Sequence, residues 1–147
     1  MTHIALAALL LMGLVATGGC SKSSTAPSTT TTTTATATAS TEFYTGVLSP
    51  KGSSFYSFTV TTAGAVSVTL ASTTTAKVGP AVAARLSVGL GIPAGFGCAA
   101  SSSVNTTPGL TAQLSSASSA TGIYCVNVSD PGGLSGDVNF VIRIIHT

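Results

Sequence analysis

From Glu42 onward, apolar and polar residues alternate in short runs that are separated by glycine, proline and small polar residues. The clearest runs lie at residues 56–60, 66–70, 86–90, 122–128 and 138–144. A period of two is typical of strands that bury one face, because successive side chains point to opposite sides of a sheet. About seven or eight short strands at spacings of about ten residues, without a helical period, predict an all-β, antiparallel β-sandwich.

Between these runs the strand boundaries are predicted from turn residues and small residues. We expect a polar loop at 71–80 and a loop or irregular edge at 92–97, where proline and glycine interrupt the pattern. A short strand is expected to contain Cys98, and another to lie at 110–114, before a small-residue loop at 115–121.

The amino-terminal residues predict export. Residues 4–16 form an uncharged apolar run, which suits a secretory signal and is too short to span a bilayer comfortably. Thr17, Gly18 and Gly19 follow, and then Cys20. This ending resembles the lipobox of bacterial lipoproteins, which implies that residues 1–19 are a signal peptide removed before Cys20 and that Cys20 is acylated. The alternative is an ordinary signal peptide of a secreted protein.

A tether is predicted to follow the anchor. Residues 20–41 are rich in Ser and Thr and contain no aliphatic residue larger than Ala, so they cannot form a core. We interpret them as a mobile spacer and keep O-glycosylation as an alternative role. Residues 42–147 then form one domain of ordinary size.

The cysteine count supports this division. The chain has three Cys, and an exported protein with an odd number would keep one free thiol. If Cys20 is acylated, Cys98 and Cys125 remain as a pair that an oxidising compartment would join, the alternative being two buried free thiols. If Tyr124, Val126 and Val128 face the core, Cys125 faces the other side of its sheet, and the bridge lies on the outer face or ties a loop across it. We prefer this register.

Charge is scarce, and this excludes several classes of function. The chain has five Lys and Arg against three Asp and Glu, which is too few cations to bind a nucleic acid backbone. Asp130 lies in a Pro-Gly-Gly turn, and His146 stands near an end of the chain that we expect to fray. No serine elbow, metal-ligand spacing or complete dinucleotide motif occurs. We therefore expect no enzyme, no metal and no cofactor.

Several runs occur in an order that has a family likeness. Phe55-Tyr56-Ser57-Phe58-Thr59-Val60 comes early, and Gly122-Ile123-Tyr124-Cys125-Val126-Asn127-Val128 comes near the end. This order resembles the bacterial pre-peptidase C-terminal domain, and the likeness covers residues 43–146. It implies a small jelly-roll-like β-sandwich, of the kind appended to secreted enzymes and surface proteins. Members often carry acidic loops that bind calcium, but residues 71–121 contain no Asp or Glu, so calcium is not carried over.

These observations lead to a modest functional prediction. We expect a lipid-anchored, non-catalytic protein of the bacterial cell envelope, facing the periplasm or the surface, that binds a protein or glycan. The alternatives are a structural surface protein that self-associates and an accessory domain for a separately encoded secreted enzyme. Residues 86–129 carry no charge and would contain an uncharged binding or assembly face. Phe96, between Gly95 and Gly97, is either a binding tip or a cap on the sandwich, and we favour the cap.

Overall fold

The alternating runs form strands, as their period predicts. A computed structural model of the chain describes residues 37–76 and 79–147, apart from the side chains of residues 117 and 118. The strands are β1 (Ser40–Leu48), β2 (Ser53–Val60), β3 (Gly64–Thr75), β4 (Leu86–Ala94), β5 (Gly97–Thr106), β6 (Leu114–Ser119), β7 (Gly122–Ser129) and β8 (Val138–His146). No described residue lies in a helix, so this part of the chain holds no helix long and apolar enough to cross a membrane.

The strands form two four-stranded sheets, and every pairing is antiparallel. One sheet has the order β1-β8-β3-β6 and the other has the order β2-β7-β4-β5. This interleaved order is that of an eight-stranded jelly roll. The expected all-β, antiparallel, jelly-roll-like sandwich is confirmed.

The core lies between the two sheets and consists almost entirely of aliphatic and aromatic side chains. Alternate residues of β8 are buried while their neighbours are partly exposed, which is the pattern of a strand with one face on the core. The buried hydrophobic residues are Leu48, Phe58, Val60, Val66, Val68, Leu70, Leu86, Val88, Leu90, Val126, Val128, Val138, Phe140, Ile142 and Ile144. Cys125 is also fully buried but is not part of this cluster, so the preferred register of β7 is confirmed.

The prediction of a polar loop at 71–80 is wrong for the first half of that range. β3 continues to Thr75, because a bulge between Leu70 and Ser72 lets the strand go on pairing with β8. Thr73 in this extension is buried, and its hydroxyl is satisfied by donating to the carbonyl oxygen of Val82. A buried, hydrogen-bonded threonine breaks the apolar alternation without ending the strand.

The region around β6 also differs from expectation. Residues 110–113 form no strand, and Leu110 is 91% exposed. The strand begins at Leu114 and includes most of the expected small-residue loop. β6 forms because its backbone pairs with β3, which needs no large side chain.

The topology gives the sandwich two distinct ends. β1 begins at the proximal end, which also carries the turns at 61–63, 95–96 and 120–121. The distal end carries the turn at 49–52 and the loops at 79–85, 107–113 and 130–137. The predicted signal peptide at 1–19, the acylation site at Cys20 and the tether up to residue 36 lie outside the described residues.

Candidate binding surfaces of the sandwich

The hairpin of β4 and β5 forms the first candidate surface, at the proximal end. β4 pairs with β7 only as far as Gly91, so the hairpin beyond that residue has no third strand beside it. Gly95 has a φ of +56°, a left-handed conformation that glycine adopts without strain. Phe96 follows at the tip with a relative exposure of 105%. The expectation that Phe96 caps the sandwich is therefore wrong, because the hairpin carries its ring away from the core.

A disulfide bridge holds this hairpin to the sheet. Cys98 of β5 is bonded to Cys125 of β7, as predicted, with 5.8 Å between the Cα atoms. β4 lies between these two strands in the sheet, but the Cα separation is shorter than the roughly 9.5 Å between second-neighbour strands. The start of β5 therefore folds over β4 at Gly91, on the outer face, and brings Cys98 to Cys125. The bridge explains why Cys125 is fully buried although it faces away from the core.

Gly91 allows the close approach that this bridge needs. A Cβ atom at Gly91 would lie 2.6 Å from the carbonyl carbon of Ala99 and 2.7 Å from the Cα atom of Ala100. A bulge between Leu90 and Gly91 accompanies this approach. The hydroxyl of Ser101 donates to the carbonyl oxygen of Leu90 at 3.1 Å and fixes the bulge.

A cleft beside this hairpin forms the second candidate surface. It has a volume of about 280 Å³ and opens at the side of the sandwich, between β6 of one sheet and β4, β5 and β7 of the other. Its lining residues are Leu90, Gly91, Ile92, Ser101, Ser102, Ser115, Ser116, Ser119 and Tyr124. All of them lie within the charge-free stretch 86–129, so the cleft presents hydroxyl groups and apolar surface without charge.

The hydroxyl groups of this serine cleft are partly organised by the protein itself. The hydroxyl of Ser119 donates to that of Ser116 at 3.2 Å, and the hydroxyl of Tyr124 donates to the carbonyl oxygen of Ala120 at 3.0 Å. The Tyr124 ring is stacked on Phe58, with the ring centroids 6.0 Å apart. A hydroxyl that has donated its hydrogen still has lone pairs. These fixed oxygens are therefore suited to accept hydrogen bonds from a ligand.

Glu42 and His146 form a polar cluster on the inner side of the proximal end. Nε2 of His146 lies 2.8 Å from Oε1 of Glu42, and the hydroxyl of Tyr44 donates to the same carboxylate. Burial raises the pKa of Glu42, but hydrogen bonds from Tyr44 and His146 outweigh it and hold the pKa below its usual value. Burial and the hydrogen bond to Glu42 raise the pKa of Tyr44 to about 12.

This cluster is built as a structural contact. His146 is only 4% exposed, so the expectation that it lies in a frayed end is wrong. Its ring packs on Phe58 with the centroids 5.2 Å apart, and its Nδ1 is buried without a hydrogen-bond partner. A histidine that activates a nucleophile needs a hydroxyl or thiol within hydrogen-bond reach, and Nδ1 has none.

Asp130 organises the distal end. Its Oδ1 accepts hydrogen bonds from the backbone N–H groups of Gly132, Gly133 and Leu134 at 2.8–3.2 Å. Its Oδ2 accepts one from the N–H of Lys51 at 2.8 Å, which ties the 49–52 turn to this loop. The hydrogen bond from Lys51, supported by those from the loop, lowers the pKa of Asp130 against the opposing effect of burial. The structure thus places Asp130 in a turn, as the sequence predicts.

Two shallow clefts lie beside the distal loops. One has a volume of about 300 Å³ between the segments 82–84 and 133–138, and the other has about 390 Å³ between the segments 71–73 and 81–83. The N–H of Val82 donates to the carbonyl oxygen of Thr73 at 2.9 Å and holds the shared wall in place. The first of these clefts includes the charged Asp137, and neither contains an aromatic side chain, whereas the serine cleft combines Tyr124 with five serines.

The described residues contain no group of three or more His, Cys, Asp or Glu side chains that could hold a metal ion. No protein-family model matches the chain, and a search of curated proteins finds no match.

The three exposed aromatic side chains, Phe43, Phe55 and Phe96, do not meet on one surface, because they belong to β1, β2 and the β4–β5 turn. Sequence analysis identified Phe96 but missed the serine cleft, whose two walls come from strands of different sheets.

Proposed function

We propose that this chain is a non-catalytic binding protein of the bacterial cell envelope, anchored through an acylated Cys20, that binds a protein or glycan in the serine cleft. The observation that carries the proposal is the chemistry of the cleft lining. Five serine side chains and one tyrosine meet there with aliphatic surface and without any charged residue. Ligand sites commonly combine an apolar wall with a few fixed polar groups.

This lining favours a glycan over a protein. The oxygens of Ser101, Ser119 and Tyr124 have already donated their hydrogens, so they act as acceptors for the hydroxyl groups of a sugar. The cleft, at about 280 Å³, is close to the lower limit of about 300 Å³ for ligand sites. It therefore suits one sugar unit, with the rest of the glycan lying outside.

The cleft is also held open before the ligand arrives. The disulfide between Cys98 and Cys125 fixes the strand that carries Ser101 and Ser102. A site that is already ordered loses little conformational entropy when it binds. This supports a binding role for the bridge in addition to its effect on stability.

Glycan array binding tests the proposal, using the chain without residues 1–19 and with Cys20→Ser to keep it soluble. We expect capture of a neutral glycan, and we expect Ser102→Leu to lose it because the larger side chain fills the cleft. Ser103→Leu is the matched control, since Ser103 is exposed on the same strand but does not line the cleft. An array that stays blank for the unsubstituted chain would contradict the glycan assignment, and equal binding by both variants would contradict the site.

A further inference from the structure

The most unusual exposed feature of the described residues is the end of the β4–β5 hairpin. Residues 92–96 read Ile-Pro-Ala-Gly-Phe, and all five are exposed. We call this segment the apolar tip. Phe96 is fully exposed and Ile92 is 59% exposed. Runs of exposed apolar residues are avoided in soluble domains unless they contact something.

The apolar tip is held rigidly and carries no charge. The bridge from Cys98 to Cys125 begins two residues after Phe96 and fixes the hairpin to the sheet. Ile123, which is 59% exposed, lies at the start of β7 at the same end. Glu42 and His146, two ionisable residues at this end, are in contact with each other. A rigid, uncharged, apolar projection is suited to an apolar surface.

The path of the chain indicates which surface this is. β1 begins at Ser40, at the same end of the sandwich as the apolar tip. Cys20 precedes Ser40 by 20 residues, and the tether that the sequence predicts there would have a mean reach on the order of 25 Å. An acyl chain on Cys20 would therefore keep the proximal end, and the apolar tip with it, within reach of the lipid surface.

We infer that the apolar tip inserts into the surface of the lipid bilayer in which Cys20 is anchored. The inference rests on the acylation of Cys20 in the proposed function. Phe96 enters the region between headgroups and acyl chains, where aromatic side chains are favoured. The contact fixes the orientation of the domain on the membrane, with the distal loops pointing away and the serine cleft open at the side.

The tryptophan-free sequence permits a direct test. The acylated F96W protein is reconstituted into vesicles of phosphatidylethanolamine and phosphatidylglycerol, with and without bromine atoms on the acyl chains. Phe96 makes no core contact, so the substitution leaves the fold intact, which circular dichroism checks. The matched control is Ser49→Trp in the distal turn, at an exposed position. We expect the brominated lipid to quench the emission of F96W and to leave that of S49W unchanged.

The other outcomes overturn the inference in distinguishable ways. Flotation of the protein with the vesicles, without quenching of F96W, leaves the anchor in place and removes the tip contact. Equal quenching of both variants shows that the domain has no fixed orientation. A blue-shifted F96W emission that brominated lipid does not quench shows that protein, such as a second copy, covers the tip. If the protein does not float, the anchor at Cys20 is wrong and the tip contact fails with it.

Discussion

Asp130 illustrates how much of this fold depends on single polar side chains when charge is scarce. Its carboxylate is the acceptor for four backbone N–H groups, three in its own loop and one at Lys51. Lys51 has a φ of +59°, a conformation that is unfavourable for lysine and that the hydrogen bond to Asp130 helps to hold. Since few other ionised groups are available, one carboxylate links the β1–β2 turn to the β7–β8 loop.

Asp130→Ala is expected to destabilise the domain. The substitution leaves the four N–H groups without their acceptor. The 49–52 turn then keeps only the backbone hydrogen bond from the N–H of residue 130 to the carbonyl oxygen of Gly52 as its link to the β7–β8 loop. We expect thermal unfolding by circular dichroism to show a Tm several degrees lower. Asp137→Ala is the control, because Asp137 is exposed and its side chain has no comparable role. Equal Tm values for both variants would show that the Asp130 hydrogen bonds do not stabilise the fold.

Glu42 is expected to make the domain sensitive to acid. Its pKa in the folded protein lies below the value of 4.5 for a free glutamate, so it stabilises the fold above pH 4.5. This stabilisation is lost as the pH falls through the folded pKa. Glu42→Gln should therefore lower the stability at neutral pH and reduce its decline below pH 4.5, as urea unfolding at several pH values will show. Parallel pH profiles for the two proteins would contradict this role for Glu42.

The pKa of Tyr44 is shifted in the opposite direction to that of Glu42, so its effect on stability has the opposite dependence on pH. Its pKa of about 12 exceeds the value of 10.0 for a free tyrosine, so its contribution is present below pH 10 and is lost above it. The side chain also stacks on Tyr56 with the ring centroids 4.9 Å apart. Together, Glu42 and Tyr44 stabilise the contact between β1 and β2 most strongly at pH values above the pKa of Glu42 and below the pKa of Tyr44.

At the scale of the elements, the β4–β5 hairpin depends on its covalent bond. Cys98 and Cys125 are separated by 27 residues, so the chain-entropy model assigns the bridge about 3 to 4 kcal/mol of stabilisation. The double variant Cys98→Ser and Cys125→Ser should lose about that amount in urea unfolding. Hydrogen exchange should increase more at residues 92–99, which local opening of the hairpin exposes, than in β8, where only the loss of global stability acts. Uniformly faster exchange would show that the bridge stabilises the whole sandwich rather than its hairpin.

Gly91 is expected to be the least replaceable glycine of this hairpin. A Cβ atom there would meet the backbone of Ala99 and Ala100, which cannot move aside as a side chain can. We expect Gly91→Ala to cost about 1 to 3 kcal/mol. Gly136→Ala is the matched control, since a Cβ atom at Gly136 has no neighbour within 4 Å, and its effect should stay within about 0.5 kcal/mol. Similar unfolding midpoints would show that β5 shifts to accommodate the methyl group.

The elements also show what can be predicted from the sequence alone. Strands with aliphatic residues on one face, such as β8, are visible because burial of that face requires the period of two. The second half of β3 and most of β6 are not visible in the sequence. Thr73 in β3 is buried through a hydrogen bond, and β6 is held by backbone pairing with β3, which needs no apolar face. Gly95 and Gly97 predicted a turn at Phe96. Whether the Phe96 ring covers the core or projects from it depends on where β7 stops pairing with β4. The residues around Phe96 carry no information about that point, because it is set by a strand distant in the sequence.

At the scale of the whole molecule, the open strand edges decide between a binding protein and a self-associating one. β5 is an edge strand of ten residues without charge, and long uncharged edges favour pairing between molecules. Two features oppose such pairing here. The bulge beside Gly91 interrupts the edge, and the bridge from Cys98 draws its first residues over the face of the sheet. The edge strand of the other sheet on the same side, β6, has only six residues.

We therefore expect the chain without residues 1–19 and with Cys20→Ser to be monomeric in light scattering after size-exclusion chromatography. Ser103→Lys places a charge on the exposed face of β5, where it would prevent strand pairing between two copies. The mass of a monomer is unaffected by that charge. A dimer that becomes a monomer on Ser103→Lys would instead establish self-association through β5, at its edge or on its exposed face. Such a result would favour the structural surface protein over the binding protein, and the serine cleft, which β5 borders, would then lie next to the interface between copies.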